Sequence, residues 1–120
     1  NFTDPKGPYD ASKYQGVAFW AKKGAGATAN VRVKFPDGNT DPDGGVCSAC
    51  YNDHGRSLKL TDDWEEYFLP FYSLAQEKGW GSPKTSSVET TALYAMQFQV
   101  NEKGATYDLS VDDLRFTGCE

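Results

Sequence analysis

Short stretches of this chain alternate residue by residue between apolar and polar side chains, most clearly near its two ends. In GVAFWAKKG and in ATYDLSVDDLRFTG one set of side chains is sent into a core and the other onto an outer face, the signature of a half-buried extended strand. The spacing predicts a first strand over about 15–23, with Val17, Phe19 and Ala21 on one face and Ala18, Trp20 and Lys22 on the other. A second, about 28–36, sets Val31, Val33 and Phe35 inward against Asn30, Arg32 and Lys34 outward, and Pro36-Asp37-Gly38-Asn39 ends it by turn chemistry. Residues 58–60 read as a short strand and 64–71 as a longer one. Over 92–100, Tyr94, Met96, Phe98 and Val100 share one face and Gln97 and Gln99 the other. The closing strand places Tyr107, Leu109 and Val111 opposite Asp108, Ser110 and Asp112 until the register blurs at Asp113-Leu114. About six short strands bounded by turn signals, with no amphipathic helical period, predict an all-β antiparallel sandwich.

Between these strands lie an irregular lead-in at 1–14, a long aperiodic stretch at 37–56 and a second loop at 77–83 that holds Trp80 between two glycines. A loop as long as 37–56 in a small domain usually carries function. At 120 residues the chain reads as one domain, 1–120. A formal net charge of −5 without any concentrated basic face argues against nucleic acid as a partner. No run approaches the ~20 apolar residues of a membrane span, so membrane insertion is not expected.

Three cysteines, Cys47, Cys50 and Cys119, bring in candidate chemistry. The Cys47-x-x-Cys50 spacing has no βαβ context that would suggest a redox motif. It also lacks the four ligands of a zinc site, since only His54 and Cys119 remain to complete one. It therefore reads as a small loop disulfide in an exported protein, leaving Cys119 over. Carboxylates at Asp62, Asp63, Glu65, Glu66 and Glu89 do not form a facing acid and base by sequence logic, because neighbours on a strand point to opposite faces, so glycosidase chemistry is disfavoured. His54 stands in a polar loop beside Asn52, Asp53 and Gly55 with no nucleophile near it in sequence. The 39–44 stretch, Asn-Thr-Asp-Pro-Asp-Gly, mimics the first half of an EF-hand loop but has Cys50 where the bidentate Glu belongs.

Taken in order, PYDASKYQGVAFWAKKG, VRVKFPD, LTDDWEEYFLPFYSL followed by GWG, LYAMQFQV and YDLSVDDLRF resemble the C-terminal two-thirds of a galactose-binding-like β-jelly roll. Within that group the chain is most similar to family 11 carbohydrate-binding modules, non-catalytic domains attached to bacterial polysaccharide-degrading enzymes. The resemblance implies an exported, secreted jelly roll that binds a β-glucan-like polysaccharide and is not itself an enzyme. Such modules carry further strands before the segment that PYDASKY matches, so the chain is expected to lack its N-terminal strands and to take them from another chain or a second copy. Related jelly rolls hold a structural calcium with a carboxylate of the closing strand, which here implies Asp112 or Asp113.

On the residues alone, Trp20, Arg32, Lys34, Gln97 and Gln99 are expected to share one outer sheet face, with Tyr51, His54 and Trp80 adding rings at its rim. Aromatic rings pack on the C–H faces of pyranoses, and planar amides and guanidinium groups hydrogen-bond to vicinal hydroxyls. The second function class consistent with the sequence is a structural or assembly module of an extracellular filament or surface layer without sugar affinity.

Overall fold

The alternation over 15–23 produces the central strand of one sheet. In the computed structural model, which describes residues 1–100 and 102–118, β1 (Gly16–Lys23) buries Val17, Phe19 and Ala21 and leaves Trp20 partly exposed. β1 is flanked by β4 (Glu65–Pro70) and β6 (Leu109–Thr117), giving an antiparallel sheet of order β4-β1-β6. The second sheet, of order β3-β2-β5, is built on β2 (Asn30–Phe35) between β3 (His54–Lys59) and β5 (Gln97–Gln99), again antiparallel throughout. Val31, Val33 and Phe35 of β2 face Val17, Phe19, Ala21 and Leu69 of the first sheet within one buried cluster that also takes in Ala11, Phe71 and Leu93. The architecture is an all-β sandwich.

Register fixes which residues share a face, because side chains directly opposite each other across a ladder point the same way. Across β1 and β6, Val17 faces Phe116 and Ala21 faces Val111, so Phe116 and Val111 belong to the inner face. Between them the pairing slips by one residue opposite Phe19, and Asp113 adopts a positive φ of 53°. This β-bulge is the physical content of the blurred alternation at Asp113-Leu114.

Two predicted elements differ in extent. The chain re-enters the sheet at His54, four residues before the expected 58–60 strand, because Phe35 pairs with His54 and Val33 with Arg56. The expected 92–100 strand shrinks to Gln97–Gln99, because the backbone ahead of it bonds elsewhere. Leu93 exchanges hydrogen bonds with Tyr9 at 2.7 and 2.9 Å, and the Tyr94 N–H donates to the Pro36 carbonyl. Tyr107, expected on the closing strand, precedes it and is exposed. Cys119 lies outside the described residues.

Candidate functional site

The outer face of the β3-β2-β5 sheet gathers four of the five residues predicted to share a surface. Arg32 is opposite Gln99 on one side and Ser57 on the other; Lys34 is opposite Gln97 and Gly55. Four polar side chains thus stand two by two, bordered by a serine and a glycine, while their neighbours in sequence point into the core. Gln97 and Gln99 are exposed. Arg32 reaches across β3 and donates through Nη2 to the carbonyl oxygens of Ala75 (2.8 Å) and Asp53 (3.3 Å). Lys34 Nζ lies 3.0 Å from Asp53 Oδ2 and donates to the Tyr51 carbonyl at 3.2 Å. The cations therefore brace the loop beside the face, and the two exposed glutamine amides have no hydrogen-bond partner among the described residues.

Trp20 is a correction. It stands on the outer face of the other sheet, opposite Glu66 of β4 and Asp112 of β6. Alternation sets the phase of a residue within its strand but not the sheet to which the strand is added, and β1 and β2 head different sheets.

His54 is the second correction: it is 1% exposed and belongs to the core, not to a rim. Its Nε2 lies 3.3 Å from both the carbonyl and the hydroxyl of Thr85, and its Nδ1 is 3.9 Å from Asp37 Oδ2. Burial pushes the imidazole below its ordinary pKa, against the opposing pull of the Thr85 carbonyl and of Asp37 and Asp53, so the ring is held neutral near pH 7.

Tyr51 and Trp80, both exposed, stand on loops held near this end of the sheet by their backbones: the Tyr51 carbonyl accepts from Lys34 and the Trp80 carbonyl from Asn52. Asn52 ties their loops together: its Nδ2 donates to the carbonyls of Glu77 (2.8 Å) and Trp80 (2.7 Å), and its Oδ1 accepts from the Glu77 N–H (2.9 Å). Gly81, at φ 93°, sits so close that a Cβ there would meet Asn52 Cβ at 2.7 Å, so glycine is required at that position. Tyr51 itself takes a positive φ of 77°, a conformation that costs a non-glycine residue about 1–3 kcal/mol and is held by its surroundings. Cys47 and Cys50 are bridged just before it, their Cα atoms 5.2 Å apart. The rim meets the Lys34–Gln97 end of the face, since β2 runs towards it and β3 leaves from it.

Sequence reasoning missed the residues that make this rim rigid. Asp37, Thr40, Asp41, Asn52 and Asp53 are all buried. Asp37 accepts from the N–H groups of Asn39, Thr40 and Glu89 and from the Thr40 hydroxyl. A loop too long to be held by water alone must satisfy its buried backbone groups from side chains, so the density of Asn and Asp over 37–53 was the available signal.

Asp112 and Asp113 were implied as calcium ligands. Both are exposed; Asp112 Oδ1 accepts from the Asp113 N–H at 2.8 Å, and Asp113 Oδ2 is 3.0 Å from Arg115 Nη1, whose guanidinium also pairs with Glu66. Calcium takes six to eight oxygens, and a guanidinium already holds one of these carboxylates. Among the described residues no group of three or more His, Cys, Asp or Glu side chains is placed to hold a metal. The EF-hand-like stretch is likewise committed to the chain itself. Pro42–Gly44 forms a 3-10 turn capped by Asp41, and Lys6 Nζ sits 2.8 Å from Asp41 and 3.3 Å from Asp43.

No protein-family model, curated protein or solved structure matches the chain. No helix among the described residues is long and apolar enough to cross a membrane.

Proposed function

We propose that this protein is a non-catalytic, secreted jelly-roll module that binds a β-glucan-like polysaccharide on the outer face of the β3-β2-β5 sheet. The observation that supports the reading most is the two-by-two register of Arg32, Lys34, Gln97 and Gln99, ending against the Tyr51 and Trp80 loops. The exposed amides of Gln97 and Gln99 each offer both a donor and an acceptor to neighbouring hydroxyls. Trp80 and Tyr51 supply the apolar planes against which a sugar ring packs. The bridged Cys47–Cys50 pair fits a chain that matures in an oxidising compartment.

Affinity electrophoresis through gels containing soluble β-glucans tests this. Retardation of the native protein is expected. Trp80→Ala should weaken binding by about 1–3 kcal/mol, the scale of one large apolar side chain withdrawn from contact, and Gln97→Ala with Gln99→Ala should reduce it further. Trp20→Ala, on the opposite sheet, should leave retardation unchanged. Unretarded native protein across mixed-linkage, β-1,3- and β-1,4-glucans, or a loss produced only by Trp20→Ala, would reject the reading.

The second reading, an assembly module, is favoured by one specific observation: the inner row of β6 is left partly uncovered. Val111 is 37% and Leu114 49% exposed.

A further inference from the structure

Three observations converge on β6. It is the longest strand of the sandwich, and among the described residues it has a ladder partner, β1, on one side only. Its inner-face residues are not covered as those of its partner are. Ala21, opposite Val111, is 0% exposed, yet Val111 itself remains in contact with solvent. Beside the free edge, the gap between β5 and β6 opens into a groove of about 670 Å³ lined by Phe98, Gln99, Val100, Tyr107, Asp108 and Leu109. A smaller apolar cleft of about 150 Å³, lined by Phe2, Val17, Leu114, Arg115 and Phe116, continues along the same strand. Unpaired backbone groups above an exposed apolar row form a template for strand addition.

We propose that β6 pairs antiparallel with β6 of a second copy of this chain, about a two-fold axis passing between Asp113 and Leu114. The occupant follows from the strand's own sequence, LSVDDLRFT. About that axis Asp112 meets Arg115 of the second copy, Val111 meets Phe116, and Ser110 meets Thr117. These three pairs each join like faces, because Ser110, Asp112, Arg115 and Thr117 lie opposite β1 residues of the outward phase while Val111 and Phe116 lie opposite inward ones; the bulge residues Asp113 and Leu114 meet each other across the axis. The bulged residues of one strand oppose those of the other, so the extra residue lengthens both strands equally.

Neighbouring registers fail. A shift of one residue reverses the faces. A shift of two in one direction sets Asp112 against Asp113 twice, and like charges directly opposite are unfavourable. In the other direction the bulges no longer oppose each other, the Asp112–Arg115 pairs are lost, and Leu114 meets Arg115 and Asp113 meets Phe116. The bulge and the charges that keep this edge from pairing indiscriminately thereby select one self-complementary register. The product is a continuous six-stranded sheet of order β4-β1-β6-β6-β1-β4, in which Val111 and Leu114 are covered. It is independent of the sugar reading, because the polar face belongs to the other sheet.

Native mass spectrometry and light scattering of the full chain over micromolar to hundred-micromolar concentration test the proposal. A dimer is expected, with Asp112→Arg and Arg115→Asp each weakening it by about tenfold or more, as both cross-strand pairs become like-charged. Mixing the two variants should restore a heterodimer, since every pair across the axis is then opposite in sign. A second measurement covers variants that fail to fold. In a Cys119→Ser background, chains bearing Ser110→Cys mixed with chains bearing Thr117→Cys should oxidise to a heterodimer. A native protein that stays monomeric, a dimer indifferent to both charge reversals, or the absence of the 110–117 cross-link would each overturn it.

Discussion

Along β3 and β4 the sandwich is finished by its own chain, whereas along β5 and β6 its sheets stand apart over an open groove. On the first side, a five-residue connection joins the two strands and its first residue, Leu60, is buried. The 71–75 segment folds back to place Phe71 and Leu74 in the core, and Ala75 bonds to Gly55 in both directions at 2.9 and 3.0 Å. On the other side β5 is only three residues long, and the chain leaves it for β6 without covering Val111 or Leu114. Both sides are formed by the edge strands of the same two sheets. What separates them is whether a loop residue is available to pair the edge and drop a side chain beneath it, which is a tertiary property.

The sharpest way to break this contrast is to truncate one leucine on each side. Leu69 is fully buried against Val17, and Leu69→Ala should cost about 2–5 kcal/mol by lost transfer energy and a residual cavity. Leu114→Ala, made in dilute protein so that self-association does not contribute, should cost under about 1 kcal/mol, because half of the side chain is already wet. Denaturant unfolding monitored by tryptophan fluorescence compares them. Equal losses would mean that the β6 side is as closed as the other.

Most of the sandwich was legible in the sequence, and its limits are physical. The strands β1 and β2 were readable because each buries one face entirely, which imposes a strict period of two on Val17-Phe19-Ala21 and Val31-Val33-Phe35. Even the bulge left a trace, as a lapse of that period at Asp113-Leu114. The face built by Arg32, Lys34, Gln97 and Gln99 was legible because all four are out of phase with buried neighbours. Trp20 was misplaced for the reason that phase carries no information about sheet membership. His54 was misread because its burial depends on Asp37 and Thr85, distant in sequence, and the expected 92–100 strand failed because Leu93 and Tyr94 take backbone partners in the lead-in and the 36–38 turn.

A smaller effect should appear in the pH dependence of the closed side, where His54 is enclosed. Its folded-state pKa is depressed by burial, so below the unfolded value near 6.5 the unfolded chain binds a proton that the folded chain resists. The stability this neutral ring contributes is complete above about pH 6.5 and is lost as pH falls, at no more than about 1.4 kcal/mol per pH unit. Melting temperatures of the native protein should therefore fall between pH 7 and 5. His54→Gln should flatten that slope while lowering stability at pH 7. An unchanged slope in the variant would mean that carboxylates, and not His54, set the acid response.

The smallest expected change comes from opening the Cys47–Cys50 bridge. A cross-link spanning three residues removes little freedom from the unfolded chain, and the flanking loop has anchors of its own. The Tyr51 N–H donates to the Thr40 carbonyl at 2.9 Å, and Ala49 exchanges hydrogen bonds with Ser82 at 3.0 and 3.2 Å. Cys47→Ser with Cys50→Ser should therefore lower the unfolding free energy by less than about 1 kcal/mol, a shift of a few degrees at most in a domain of this size. Its consequence should be local: faster amide hydrogen exchange over residues 46–51, with β1 and β2 unaffected, because Tyr51 holds an unfavourable backbone conformation that the bridge helps to restrain. Exchange that quickened across the β3-β2-β5 sheet as well would show that the rim and the sheet open together, and that the closed side of the sandwich depends on this loop for its closure.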